Sequence, residues 1–422
     1  MVLQTGALSA LRATSGSYCE AEPGVGDVVP MNLASLSLPT GSVAGVDLLE
    51  HLTGHDKMVV SKFDKYMLQD ASVWTDLQDH AHELKPYDDP SLHSHKQYLQ
   101  FLKHLFNCGV LGYTENCKGR VGAFTVSKKP KIINGVSVER QRLVLDCRQT
   151  NLQFKTPPLT QLGSLSALGE LEMQGGQKLF TAGSDIRDCF YACYCPSGME
   201  DYFCLMTDLQ PMDAVAVFGG EVEGFSQMRR ISPCIKVLPM GFNWSFYLVQ
   251  TLHESISLRS LGLNRDDMII DGSPAPVLSA DRVTIMPYCD NVHCLGLDAK
   301  ATQDAKENVG FELHEDVGAC NYFPTLGGII DGELGHVRPS SKRVWNLVFA
   351  FEHLCTATVS YKLVQQLLGH AMVVCVLNRS GMSVFRALYD FAQKGGPPRK
   401  LNNSEVWECK VFIGILPLLF QT

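Results

Sequence analysis

The sequence predicts an α+β fold in which helical segments flank a strand-rich centre. Three observations predict it. Apolar residues recur at three and four between Val46 and Leu111, short alternating or apolar runs broken by turn residues fill Gly122 to Leu297, and helical spacing returns from Arg338 to Lys400. Hydrophobic residues at 45%, charged residues at 19% and a mean hydropathy of +0.01 exclude wholesale disorder, collagen and coiled coil, because enough apolar surface is present to offset chain entropy. A chain of 422 residues holds two or three domains of ordinary size. No apolar run reaches the roughly 20 residues of a membrane-spanning helix. Met1 to Ala13 lacks the basic start and sustained apolar stretch of a secretory signal, so the chain reads as intracellular, with no membrane partner. Fifteen cysteines without a C-x-x-C pair read as free, mostly buried thiols.

Taken in order, residues 1–45 are rich in Ser, Gly, Ala and Pro and read as a flexible leader. Residues 46–111 read as a helical N-terminal region. Tyr98, Phe101, Leu102, Leu105 and Phe106 share one face, Asp89-Pro90-Ser91 supplies a helix start and Gly109 a stop. His80, His82, His93, His95 and His104 lie nearby, but residues two apart on a helix face different ways and no acid or thiol completes a set, so solvated histidines are expected. Gly122 to Val126 and Arg142 to Asp146 read as the arms of a hairpin turning through Lys129-Pro130-Lys131 and Asn134-Gly135. There Lys128, Lys129, Lys131, Arg140, Arg142 and Arg148 oppose only Glu139 and Asp146, a basic finger in a protein of net charge -8. The plain alternative is a solvated hairpin whose charges blunt an exposed edge.

Lys178 to Tyr191 reads as an apolar strand that ends in Asp185 and passes into a helical turn. Val283 to Tyr288 and Val292 to Leu297 flank Cys289-Asp290-Asn291, residues suited to a tight turn. One acid at a strand end and another at a hairpin tip, 105 residues apart in sequence, suit hard divalent cations. Magnesium prefers oxygen ligands and completes its shell with water and phosphate, and two such ions activate an attacking 3′-hydroxyl and stabilise leaving pyrophosphate. From Arg338 to Lys410 ten basic side chains face four acidic ones, a balance suited to phosphate.

At this point the chain resembles the reverse transcriptases of retroelements. The ordered match runs from Pro86 to Gln393, roughly 300 residues. AFTVSKKPK (Ala123 to Lys131) and RQRLVLDCRQTN (Arg140 to Asn151) resemble the fingers hairpin, which implies that Lys128 and Arg142, with Lys129 as a substitute, grip the incoming triphosphate. SDIRDCFYACYCP (Ser184 to Pro196) resembles the first palm motif, with metal-binding positions at Asp185 and Ile186 and the sugar-sensing aromatic at Phe190. LPMGFNWSFYLVQ (Leu238 to Gln250) resembles the segment that sets Met240 and Gly241 against the new base pair, and YCDN (Tyr288 to Asn291) the hairpin of the second metal-binding acid, Asp290, beside Asn291. VGFELHED (Val309 to Asp316) and LGGIIDG (Leu326 to Gly332) resemble the helix–strand element and the primer grip at Leu326, Gly327 and Gly328.

The resemblance implies a right-hand polymerase with fingers, an antiparallel-sheet palm and a helical thumb. Fingers and palm take residues 112–335, the thumb or connection 336–400, and residues 401–422 an apolar, exposed start of a truncated domain, ribonuclease H in related elements. It implies RNA-directed DNA synthesis from dNTPs on a primed RNA or DNA template with two Mg2+ ions, or Mn2+ in their place. Two positions depart from the family. Asn291 stands where a second aspartate is usual, and His314 and Glu315 stand where a lysine is expected beside the leaving pyrophosphate, which makes His314 the candidate general acid. The rivals are a decayed or domesticated copy that only binds nucleic acid, and a viral RNA-dependent RNA polymerase, which carries an acid where this chain has Phe190.

Overall fold

The computed structural model describes residues 27–39, 45–133 and 135–420. Most of the expected leader and Asn134 of the expected turn lie outside the described residues. The fold is mixed α and β, with mainly antiparallel sheets. No helix among the described residues is long and apolar enough to cross a membrane.

Asp89 accepts the N–H of Ser91 and caps a short 3-10 turn, after which helix α1 (His95–Asn107) buries Tyr98, Phe101, Leu102 and Leu105 of the face its spacing predicts, while Phe106, expected on that buried face, is exposed at its edge. Gly109, at a φ of +76°, takes the chain out of the helix. Strand β1 (Leu111–Thr114) follows, then the long hairpin β2 (Arg120–Ile133) and β3 (Val136–Asp146). Next come β4 (Phe180–Ile186), the single-turn α2 (Cys189–Ala192), and β5 (Cys204–Leu205) and β6 (Ser232–Ile235). The chain continues through β7 (Thr284–Ile285), β8 (Asn291–Gly296), α3 (Ala299–Glu307) and β9 (Leu313–Cys320). Last are β10 (Tyr322–Thr325), β11 (Gly328–Asp331), β12 (His336–Pro339) and helices α4 (Ser341–Thr356), α5 (Tyr361–Cys375), α6 (Arg386–Lys394) and α7 (Asn403–Ile415).

These elements form two compact units, and the chain passes from one to the other more than once. One unit, residues 25–160 and 186–259, is built on a sheet in which Val28–Val29, β2, β5, β6 and β1 lie side by side and β3 pairs with β2. The other contains residues 161–185 and 260–422. It carries the sheet β7-β8-β4-β9, the three-stranded sheet β10-β11-β12, and the four helices α4 to α7.

The helical core of that second unit includes Leu347, Phe351, Leu367, Phe385 and Leu388. It also includes Phe412, Leu416 and Leu419, which corrects in part the expectation of an exposed apolar end, where Leu418 and Phe420 remain exposed. The physical reason lies in spacing: Cys409, Phe412, Leu416 and Leu419 recur at three and four and point one way once the segment is helical. Two acids that the charge tally set against the basic surface are buried in structural roles. Glu408 accepts the N–H groups of Arg386, Ala387 and Leu388 and so caps α6, while Glu405 receives Arg399 at 2.6 Å.

Among the described residues the cysteines form no disulfide, and His80, His82, His93 and His95 are exposed.

Candidate active site

Strand β4 carries Asp185 to the end of a sheet because its apolar residues are enclosed by neighbours on both sides. It pairs antiparallel with β8, and the register sets Asp185 opposite Asn291, Gly183 opposite His293 and Thr181 opposite Leu295. These residues share a face, since side chains alternate along a strand. Phe323 packs so closely that a Cβ at Gly183 would lie 2.4 Å from its ring. Only glycine fits there.

The turn before β8 is tighter than the sequence suggested. Tyr288 and Asn291 exchange main-chain hydrogen bonds of 3.0 and 2.8 Å, so the loop consists of Cys289 and Asp290 and Asn291 already opens the strand. Cys289 has a φ of +55°, a left-handed conformation that costs a non-glycine residue about 1–3 kcal/mol. That strained turn presents Asp290. Asn291 Nδ2 donates to Asp290 Oδ1 at 3.1 Å, so the amide in the place of a second acid orients the first.

Edge strand β9 adds groups that sequence reasoning found only in part. His314 Nδ1 lies 3.3 Å from the main-chain oxygen of Asp185, which brings the candidate acid to the strand end. Lys306, fully buried on α3, donates to Asp316, which also accepts the Ser184 hydroxyl at 2.6 Å. These bonds, Lys306 first and Ser184 second, hold the Asp316 carboxyl below the usual carboxylate range. Helix α3, β9 and the residue before Asp185 are thereby tied together. Nothing in the linear spacing of Ser184, Lys306 and Asp316 signals this link.

Behind the acids, His293 is enclosed. Its Nδ1 lies 3.1 Å from the Met286 carbonyl, to which it donates, and the Thr325 hydroxyl donates to Nε2 at 2.8 Å. Burial pushes its pKa down to about 4. The folded-state value lies below that of an unfolded imidazole, about 6.5. The contribution of neutral His293 is therefore complete above that pH and is lost as pH falls through about 4. Stability measured by urea unfolding between pH 7 and 4 is expected to lose about 3 kcal/mol from this group alone. His293→Gln, which does not titrate, should flatten the pH dependence. Equal slopes in the two proteins would show that His293 is not its source.

Thr325 ends β10 beside the turn that resembles the primer grip. Leu326 and Gly327 form its two-residue loop, with φ values of +48° and +75°, and Thr325 pairs with Gly328. A leucine held in the left-handed region is a second strained turn in this unit.

The remaining candidates belong to the other unit. Lys128 stands opposite Arg140, and Arg142 opposite Val126, so all four side chains share one face of the β2–β3 hairpin. Beyond Lys128 the register shifts, with Lys129 and Pro130 set against Glu139, which takes Lys129 out of the alternation. Arg148 is held by Asp146 through bonds of 2.8 and 2.6 Å and does not count toward the free basic charge. Ile186 closes β4, and Phe190 lies half-buried on α2.

Met240 and Gly241 form a clamped turn. The Met240 carbonyl accepts Leu145 N–H at 3.2 Å, and Asn151 donates from Nδ2 to the Gly241 carbonyl at 2.9 Å while its Oδ1 receives Asn243 N–H at 3.0 Å. Gly241 has a φ of +126°, and a Cβ there would lie 2.2 Å from the Leu145 oxygen. Asn151 is a positioning residue that the motif contained without revealing its role.

No family model matches the chain, and no curated protein matches it. Among solved structures it is similar to a foamy viral protease-reverse transcriptase dRH in complex with double-stranded DNA, at 13% identity and a TM-score of 0.49, over 79% of this chain and 49% of that one. It is also similar to the foamy viral protease-reverse transcriptase in complex with RNA/DNA hybrid, at 13% identity and a TM-score of 0.45, over 99% of this chain and 46% of that one. The same viral protein in complex with double-stranded DNA gives 13% identity and a TM-score of 0.47, over 99% of this chain and 71% of that one. The chain thus spans about half the length of the first two.

Proposed function

We propose that the protein is an RNA-directed DNA polymerase of a retroelement, a right hand whose fingers carry Lys128 and Arg142, whose palm carries Asp185 and Asp290, and whose thumb includes α4 to α6. The observation that supports this most is the placement of two acids at one end of a sheet: Asp185, one residue before the end of β4, stands directly across from Asn291, and Asp290 sits on the adjoining strained turn. The donor set suits magnesium. Magnesium is typically held by one or two carboxylates with phosphate and water completing its shell.

Asp185 and Asp290, with the Ile186 position beside them, would hold the metal, which when bound lowers the pKa of the primer 3′-hydroxyl and offsets charge on the leaving pyrophosphate. Asn291 orients Asp290. Lys128 and Arg142 bind the triphosphate by charge-assisted contacts, Met240 and Gly241 support the new base pair, and Leu326 to Gly328 hold the primer. His314, beside Asp185, is the proton donor to the leaving group. The test is primer extension by the purified chain on matched RNA and DNA templates with dNTPs and Mg2+. Binding of primer–template without extension would instead support a decayed copy that only binds nucleic acid.

Phe190 sets the choice of sugar in this reading. A 2′-hydroxyl against a rigid ring is crowded and loses hydration without gaining a partner, a cost of about 1–3 kcal/mol. Phe190→Val is expected to raise ribonucleotide incorporation about tenfold or more, with a modest loss of deoxynucleotide use. Single-nucleotide incorporation and the melting temperature measured together decide it. An unchanged ratio in a folded, active variant removes Phe190 from the sugar pocket, and joint loss of stability and activity assigns it to the core.

A further inference from the structure

We propose that Lys306, Asp316 and Ser184 are positioning residues, a brace that runs from a buried ammonium through an exposed carboxylate to the hydroxyl next to Asp185 and sets the Asp185 carboxylate for magnesium. The inference rests on the reading above, in which Asp185 holds the cation. Helix α3 lies on β8 and β9, so close that a Cβ at Gly296 of β8 would meet the Thr302 hydroxyl at 2.7 Å. It grips β9 at two points. Gln303 accepts the Ala319 N–H at 2.9 Å, and Lys306, three residues on and so on the same side of the helix, donates to Asp316. The Lys306 side chain is 1% exposed and that of Asp316 59%, so the helix supplies the fixed end of the brace.

From Asp316 the brace passes to β4, the neighbour of β9 in the sheet. Asp316 Oδ1 accepts both the Lys306 ammonium and the buried Ser184 hydroxyl, the latter at 2.6 Å. Consecutive residues of a strand point to opposite faces, so this anchor acts from the face away from the Asp185 side chain. A second contact comes from the same strand. His314 lies two residues before Asp316, with Nδ1 3.3 Å from the Asp185 carbonyl oxygen, and Glu315 between them has a φ of +54°. A left-handed residue inside a strand breaks the regular alternation and re-aims its neighbours, here toward β4. Edge strand β9 thus holds the main chain of Asp185 and the side chain of the residue before it. Magnesium demands near-ideal octahedral oxygen geometry whereas calcium accepts a flexible shell, so fixing the carboxylate bears on which ion binds.

Ser184→Ala tests the brace, for it removes the strand anchor and leaves the Lys306–Asp316 pair in place. Mn2+ added to the full chain and read by electron paramagnetic resonance, with the signal of Asp185→Asn subtracted, reports the ion at this site, and Mg2+ or Ca2+ is then titrated against it. Removing a group that orients a metal ligand typically weakens metal binding about 10- to 100-fold, so Mg2+ should compete about tenfold or more less well in Ser184→Ala. Ca2+ competition should change far less, and the melting temperature should stay near the parental value. Ser184→Thr, which keeps the hydroxyl, should recover Mg2+ competition. If the alanine variant melts early, Ser184→Cys, close in size and only a weak donor, replaces it. Parental Mg2+ competition in the alanine variant overturns the brace, as does an equal loss for both ions, which would mark a general loosening. A parental Mn2+ signal in Asp185→Asn instead overturns the metal reading of Asp185, and the brace with it.

Discussion

Asp185→Asn or Asp290→Asn is expected to reduce primer extension by about a thousandfold or more while primer–template affinity stays within a few-fold. Several kcal/mol of charge stabilisation rest on these carboxylates in the proposed chemistry, and each 1.36 kcal/mol is about a tenfold change in rate. Duplex binding, by contrast, is spread over many phosphate contacts. An amide is close to a carboxylate in shape, and at position 290 its carbonyl can still accept the Asn291 amide that now bonds Asp290 Oδ1. The turn should therefore survive. Thermal unfolding checks that the fold is retained, and single-turnover extension reads the chemistry. A folded Asp185 or Asp290 variant that extends primers at near the parental rate would refute the metal assignment.

Removing the cation from either position of the basic hairpin should act on the nucleotide. Lys128→Ala and Arg142→Ala each delete a charge from the face shared with Arg140. A charge-assisted contact contributes about 1.5–3 kcal/mol, so the apparent KM for dNTP is expected to rise about ten- to a hundredfold. Primer–template affinity should change much less. Steady-state KM and kcat, with duplex affinity titrated separately, distinguish this from a general electrostatic loss, which would weaken the duplex equally. Unchanged KM in both variants returns the hairpin to a solvated arm, a reading consistent with exposure of Ile132 at 75% and Val136 at 64% near its tip.

The parts of the fold written in local periodicity were legible from sequence. The buried face of α1, the two arms of the β2–β3 hairpin and the placement of Asp185 near the end of β4 all follow from spacing and turn residues. Interactions between distant segments were not. Lys306 reads as an ordinary exposed lysine until α3 packs it against β9, and the left-handed backbone at Cys289 and Leu326 defies residue preference because surrounding pairing imposes it. The segment Val411 to Phe420 misled for the opposite reason. Apolar neighbours such as Val411, Ile413 and Ile415 obscured the three-and-four spacing of Cys409, Phe412, Leu416 and Leu419 that marks the covered face.

The interleaving of the two units sets an order on synthesis. Residues 25–160 and 186–259 have all been synthesised once the chain passes residue 259, so one unit can close while the rest is still being made. Strand β4 cannot. Its partner β8 begins at Asn291, and at about 5–20 residues per second the strand waits roughly 5–20 s for that partner to be translated. During that interval an apolar strand bearing Asp185 has two open edges. Nascent chains stalled between residues 190 and 290 should consequently be the ones that chaperones hold longest.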